Sequence, residues 1–114
     1  MKRIDYFLIG LLIVEIIFIL HFKIIIGVGE SMLPTLGNPQ ILLCQYTNDY
    51  EVGDIVAYKL DGMRIVHRIV NKIEYNLTDD YQVTVYYMKG DNNPTNDMFQ
   101  IYEENILCKV IGVE

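Results

Sequence analysis

Three kinds of side chain are scarce in this chain: basic residues, cysteines and histidines. Its 114 residues include only 9 Lys and Arg against 15 Asp and Glu, which gives a formal net charge of −6. Binding to a nucleic-acid backbone requires a basic surface, so this balance argues against a nucleic-acid partner. Charged residues amount to 21% and hydrophobic ones to 52%, and the question is where the apolar surplus lies.

The two cysteines, Cys44 and Cys108, are too few for a disulfide framework. Neither has the CxxC partner or nearby histidine of a metal site, so we expect no metal and no cofactor. Both lie in apolar runs. The sequence therefore favours two buried free thiols, with a single bridge between them as the alternative.

Charge is scarcest near the start of the chain. Over residues 4–28 the ionisable side chains are Asp5, Tyr6, Glu15, His21 and Lys23. As a helix this stretch would run roughly 37 Å, enough to cross a hydrocarbon core of ~30 Å. We therefore predict a cytoplasmic N-terminus and transmembrane helix within residues 1–28, followed by an extracytoplasmic domain over residues 29–114.

Charges around the apolar run indicate its orientation. Lys2 and Arg3 precede it, so the N-terminus is expected in the cytoplasm and the following domain on the extracytoplasmic side of the lipid bilayer. A cleaved signal peptide is the alternative, disfavoured because the run exceeds the 7–15 apolar residues of such peptides. Glu15 is costly at mid-helix. Either it meets a membrane partner, or it is tolerated in a protonated or hydrated form.

After Gly29 the pattern changes to short alternating apolar stretches broken by turn residues, which is typical of strands. We predict strands over 40–46, 55–59, 64–75, 81–89 and 106–113. No helical period appears beyond residue 30. The predicted fold class is therefore mainly β, with five or six strands in a small curved sheet or partly closed β-barrel.

The β domain contains side chains suited to nucleophilic catalysis. Ser31 follows Gly29 in a turn-forming stretch, His67 lies inside a predicted strand, and Asp91 and Asp97 lie in a turn-rich loop. Taken singly, each is better explained by a structural role. Together they supply serine, histidine and aspartate, whose catalysis depends on spatial convergence and not on sequence order. The other histidine lies in the apolar segment.

Five stretches, taken in order, resemble type I signal peptidase, most closely its archaeal and endoplasmic-reticulum branch. They are SMLPTL at 31–36, GDIVAYK at 53–59, VHRIV at 66–70, KGDNN at 89–93 and ILCKVIGV at 106–113. The branch follows from His67, because bacterial and organelle members place a lysine there. The resemblance implies a membrane-bound serine endopeptidase that removes N-terminal signal peptides from preproteins, cutting after small residues.

The resemblance also implies a role for each candidate residue. Ser31 would be the nucleophile and His67 its general base. Asp97 is our choice to orient His67, while Asp91 is expected to stabilise the loop or the serine region. Many members carry a serine two positions before the nucleophile, where this chain has Gly29, so a second oxyanion donor stays unassigned. The branch favours an archaeal plasma membrane over the endoplasmic reticulum.

Two other hypotheses stay open from the sequence. One keeps the enzyme class but uses Lys59 or Lys89 as the base. The other is a non-catalytic or regulatory membrane-anchored β module. A pH–rate profile separates the first, since a histidine base should give an acidic limb at about pH 6–7. Geometry separates the second: Ser31 Oγ should lie within hydrogen-bond reach of His67, and His67 beside Asp97 or Asp91.

Overall fold

The computed structural model describes residues 3–113, in which one helix precedes seven strands. These elements are α1 (Arg3–His21), β1 (Phe22–Gly27), β2 (Gln40–Gln45), β3 (Ile55–Leu60), β4 (Met63–Thr78), β5 (Tyr81–Lys89), β6 (Gln100–Tyr102) and β7 (Ile106–Val113). A short 3-10 helix (Glu103–Asn105) joins β6 to β7.

The seven strands form one open sheet in the order β1-β2-β7-β3-β4-β5-β6, with antiparallel pairing throughout. The prediction of a mainly β fold is confirmed. The barrel alternative is wrong, because β1 and β6 lie at opposite edges of the sheet. β6 has only three residues, and a short edge strand is one way in which an open sheet limits unwanted pairing.

Most predicted strands are found at the predicted positions. The ranges 40–46, 55–59, 81–89 and 106–113 match β2, β3, β5 and β7 to within one residue. β4 is longer than predicted because Thr78 still pairs with Tyr81, which shortens the connecting turn to residues 79–80. β1 and β6 were not predicted.

The N-terminal apolar run is not one helix. α1 ends at His21, and Phe22–Gly27 form β1, which pairs with β2 from Phe22 opposite Gln45 to Gly27 opposite Gln40. Three consecutive isoleucines within β1 explain the change, since β-branched residues favour strands. The prediction that a helix reaches residue 28 is therefore wrong. Over residues 3–113, no helix combines the length and apolar character needed to cross a membrane.

The cysteines are buried, as predicted, but they are not free. Cys44 on β2 and Cys108 on β7 form a disulfide, with Cα atoms 5.6 Å apart. The two residues are 64 positions apart in sequence, so only the long-range pairing of β2 with β7 brings them together. The expectation of two free thiols is therefore wrong.

Apolar side chains hold the segment after β1 against the sheet. Met32 and Leu36 from this segment are buried and cluster with Leu42 of β2. A second, larger cluster lies around Tyr58 and Ile69, where β3, β4 and β5 meet. Val66 of β4 packs against the first cluster, which fixes the segment that begins at Ser31 relative to the strand that carries His67.

Candidate active site

Ser31 lies at the start of a turn that is held from both sides. Before it, Gly29 has φ 108°, a conformation that favours glycine. After it, the buried Met32 and Leu36 fix the turn to the core, and the Leu36 N–H donates to the Met32 carbonyl at 2.9 Å. The Ser31 carbonyl also accepts the Asn92 N–H at 2.8 Å. The serine main chain is thus anchored, while the residue as a whole is half-buried.

His67 is the fifth of the 16 residues of β4 and is 9% exposed. Its Nε2 atom lies 3.1 Å from Ser31 Oγ. Its other ring nitrogen, Nδ1, lies 2.5 Å from Asp97 Oδ2. Ser31, His67 and Asp97 therefore form a continuous chain of polar contacts from a hydroxyl to a carboxylate.

Asp97 is held by its main chain and by a second side chain. Its N–H donates to the Met88 carbonyl at 2.8 Å, which ties the loop to the end of β5. The Tyr58 hydroxyl donates to Asp97 Oδ2 at 3.0 Å. Burial, followed by the charge and hydrogen bond of Asp97, raises the pKa of Tyr58 far above its ordinary value. The Tyr58 hydroxyl therefore keeps its proton at neutral pH.

Asp91, the other candidate carboxylate, contacts a different partner. Arg68 Nε and Nη2 donate to its two oxygens at 2.9 and 2.8 Å. The hydrogen bond to Arg68 is the main cause that lowers the pKa of Asp91, and a hydrogen bond from Thr35 adds to it. The same bond raises the pKa of Arg68. Of the two aspartates, only Asp97 is in contact with His67.

The lysine alternative finds no matching contact. Lys89 Nζ lies 3.4 Å from the Gly90 carbonyl, and Lys59 lines the cleft beside Ser31 without a hydrogen bond to it. Over the described residues 3–113, the basic group bonded to the serine hydroxyl is the imidazole of His67.

A cleft of about 710 Å³ opens beside Ser31. It is bounded by β1, the turn that carries Ser31, and the neighbouring strands β3 and β4. Its apolar lining includes Ile25, Met32, Leu36, Ala57 and Val66. The cleft therefore brings a largely apolar surface next to Ser31.

Sequence reasoning missed Tyr58, although a signal was present. The turn at Asp61-Gly62 has positive φ at both residues, as in a two-residue hairpin. Such a hairpin sets Val56 opposite His67. Because alternate strand residues share a face, Tyr58 then lies on the same face as His67. Asn92, which donates to the Glu30 carbonyl beside Ser31, carried no comparable signal.

Comparisons with known proteins identify the family of this chain. Residues 21–112, which contain all three contacting residues, match the Peptidase S24-like family. "Signal peptidase complex catalytic subunit SEC11" of Candida tropicalis is 35% identical over 81 residues, covering 68% of this chain and 46% of that protein. The proteins of the same name from Komagataella phaffii and Saccharomyces cerevisiae (strain YJM789) are each 32% identical over 78 residues. These matches cover 66% of this chain and 46% and 44% of the relatives.

The chain spans about half the length of the curated relatives it matches. No solved structure gave a significant match. The resemblance to type I signal peptidase of the endoplasmic-reticulum type, found in the five sequence stretches, is confirmed by the SEC11 relatives. The chain belongs to the Peptidase S24-like family.

Proposed function

We propose that this protein is a serine endopeptidase that removes N-terminal signal peptides from preproteins, cutting after small residues. Ser31 is the nucleophile, His67 the general base, and Asp97 the carboxylate that orients His67. The observation that carries the proposal is the 3.1 Å contact between Ser31 Oγ and His67 Nε2. Membership of the Peptidase S24-like family and the SEC11 relatives support the same reaction class.

The reaction follows from the order of the contacts. An unperturbed serine hydroxyl is a poor nucleophile at neutral pH, so His67 Nε2 accepts its proton as Oγ attacks the scissile carbonyl carbon. Nε2 then gives this proton to the leaving amine, the C–N bond breaks, and an acyl ester remains on Ser31. A water molecule that loses its proton to the same nitrogen hydrolyses the ester. Asp97 keeps the Nδ1 proton on its own side of the ring throughout.

The tetrahedral intermediate carries an oxyanion that needs donors. The main-chain N–H of Ser31 is the proposed first donor, in a contact worth about 3 kcal/mol in comparable sites. Gly29 has no side chain to act as the second. The Glu30 side chain is exposed, and its main-chain carbonyl accepts Asn92 Nδ2 at 3.0 Å.

We further propose that α1 attaches the protein to a lipid bilayer. Its apolar side chains are exposed on every side, with Phe7 65% and Ile19 68% exposed. A helix that is apolar all round is normally covered by protein or lipid. Lys2 and Arg3, at the N-terminal end of the apolar run, favour a cytoplasmic N-terminus and an extracytoplasmic peptidase domain. The Cys44–Cys108 disulfide supports that side, since such bonds persist in oxidising compartments.

The predicted division of the chain at residue 28 is adjusted in this proposal. β1 pairs with β2, and the family match begins at residue 21, so we assign the membrane segment to α1 and the peptidase domain to the residues from Phe22 onward.

We also propose that the exposed Glu15 of α1 contacts a membrane partner, because the relatives of this chain are named as subunits of a complex. The relatives lend no support to an archaeal source.

Cleavage of a preprotein by the purified full chain in detergent tests the proposal. Ser31→Ala and His67→Ala should each lower the rate by about 10³-fold or more, because each removes a member of one catalytic unit. His21→Ala, which alters the other histidine, is the matched control and should retain the wild-type rate. Unchanged cleavage in Ser31→Ala or in His67→Ala would contradict the role assigned to that residue. A wild-type protein without cleavage would favour the non-catalytic β module.

A further inference from the structure

The carboxylate of Asp97 accepts two hydrogen bonds on one oxygen. Oδ2 lies 2.5 Å from His67 Nδ1 and 3.0 Å from the Tyr58 hydroxyl. The hydroxyl also lies 3.4 Å from His67 Nδ1. A phenol has one proton, and a carboxylate is the stronger acceptor. The Tyr58 proton therefore points to Asp97.

Tyr58 is rigidly held where it makes this contact. It is 1% exposed and packs in the core cluster that contains Val56 and Ile69. Its ring meets the imidazole of His67 edge-on, with centroids 6.2 Å apart and planes at 67°. The hydroxyl is thus a fixed donor presented by the core of the sheet.

Asp97, in contrast, comes from a loop. It lies between β5 and β6, outside any regular element, and its side chain is 22% exposed. Within residues 3–113, the side chains that bond its carboxylate are those of Tyr58 and His67. Without the tyrosine donor, the carboxylate would be free to rotate toward solvent and leave Nδ1.

We propose that Tyr58 is a positioning residue, which holds the Asp97 carboxylate against His67 Nδ1 and so keeps Nε2 directed at Ser31. Its effect on catalysis rests on the function proposed above. Its effect on the contact between Asp97 and His67 does not. The two parts are therefore tested separately.

The catalytic part is tested by Tyr58→Phe, which removes the hydroxyl alone. We expect kcat to fall about 10- to 100-fold, the range for a hydrogen bond to a charged group, with KM within about twofold because Tyr58 does not line the cleft. Tyr86→Phe is the matched control. Tyr86 is also 1% exposed in the same core cluster, and its hydroxyl bonds none of the three site residues. Wild-type kcat in Tyr58→Phe would overturn the proposal.

A double-variant cycle separates positioning from general damage to the fold. If Tyr58 acts through Asp97, adding Tyr58→Phe to Asp97→Asn should lower kcat less than twofold further, because the carboxylate it holds is already gone. If Tyr58→Phe merely weakened the fold, it would lower kcat by the same factor in the Asp97→Asn background as in the wild type. Such a multiplicative loss would overturn the proposal.

Proton NMR tests the contact without any substrate. The Nδ1 proton shared with a carboxylate gives a strongly downfield signal, which should move upfield or broaden in Tyr58→Phe and stay in place in Tyr86→Phe. An unchanged signal in Tyr58→Phe would overturn the positioning role. A signal that changes as expected in a protein without cleavage would contradict the proposed function alone.

Discussion

Gly90 faces the main chain of Ser31 at close range. A β-carbon at position 90 would lie 2.7 Å from the Ser31 carbonyl oxygen and 3.0 Å from its β-carbon. Two residues later, the Asn92 N–H donates to the same carbonyl at 2.8 Å. The loop that follows β5 therefore sets the position of the serine, and it does so through backbone atoms that cannot yield as a flexible side chain would.

Gly90→Ala should consequently displace Ser31 from His67. A carbon to oxygen distance of 2.7 Å is shorter than real contacts allow, so either the turn at Ser31 or the loop must shift by several tenths of an ångström. Because catalysis depends on the position of the reacting atoms, we expect kcat to fall at least about 10-fold. The measurement is preprotein cleavage at saturating substrate.

Gly112→Ala is the matched control for that variant. Its added β-carbon would meet Leu43 at 3.7 Å, an ordinary contact, and the residue lies in β7 away from the site. Cleavage should stay within about twofold of wild type. Equal activity in the two variants would show that the loop does not set the position of Ser31.

The ion pair between Arg68 and Asp91 should make stability depend on pH in the acid range. The pKa of Asp91 is lowered in the folded protein, whereas an unfolded chain has an aspartate pKa of about 3.9. The stabilisation is therefore complete above that value and is lost as the pH falls through the lowered, folded value. Because both side chains are partly exposed, we expect about 1 kcal/mol at neutral pH.

Urea unfolding of the wild type and Asp91→Asn at a series of pH values measures this effect. The difference between their free energies of unfolding should be constant above about pH 5 and shrink below about pH 4. A difference that grows on acidification would contradict the lowered pKa of Asp91.

Much of the fold could be predicted because it depends on local signals. Alternating apolar residues and turn formers located β2, β3, β5 and β7 to within one residue. The short turn at Asp61-Gly62 also fixes which residues of β3 and β4 face each other. Local sequence patterns were therefore sufficient to predict where His67 lies in the sheet. The same argument applies to Tyr58.

Other features depend on contacts between distant parts of the chain. Which of the two aspartates contacts His67 depends on Arg68, because Arg68 donates hydrogen bonds to both carboxylate oxygens of Asp91. The end of α1 at His21 is decided by pairing of the next six residues with β2, because an apolar run rich in isoleucine suits both a helix and a strand. The spacing of residues along the sequence predicts neither the aspartate that contacts His67 nor the residue at which α1 ends.

The Cys44–Cys108 disulfide should contribute strongly to stability. It joins β2 to β7 and closes a loop over a sequence separation of 64 residues, for which the chain-entropy estimate is about 4 kcal/mol. The Cys44→Ala, Cys108→Ala double variant should therefore have a free energy of unfolding in urea lower than that of the wild type by about 4 kcal/mol.

Both cysteines are at most 1% exposed, so thiol reagents should reduce the bond slowly in the folded wild type. Rapid reduction without unfolding would contradict this.

Asp97→Asn and Asp91→Asn should separate orientation from loop support. In Asp97→Asn the amide no longer favours a proton on His67 Nδ1 or stabilises the imidazolium, so kcat should fall about 10³- to 10⁴-fold, as in comparable triads. Asp91→Asn alters a carboxylate that contacts Arg68 and not His67, so its kcat should fall less than about 10-fold where the variant is folded. Preprotein cleavage at neutral pH compares the two. A larger loss in Asp91→Asn would reverse the roles assigned to these carboxylates.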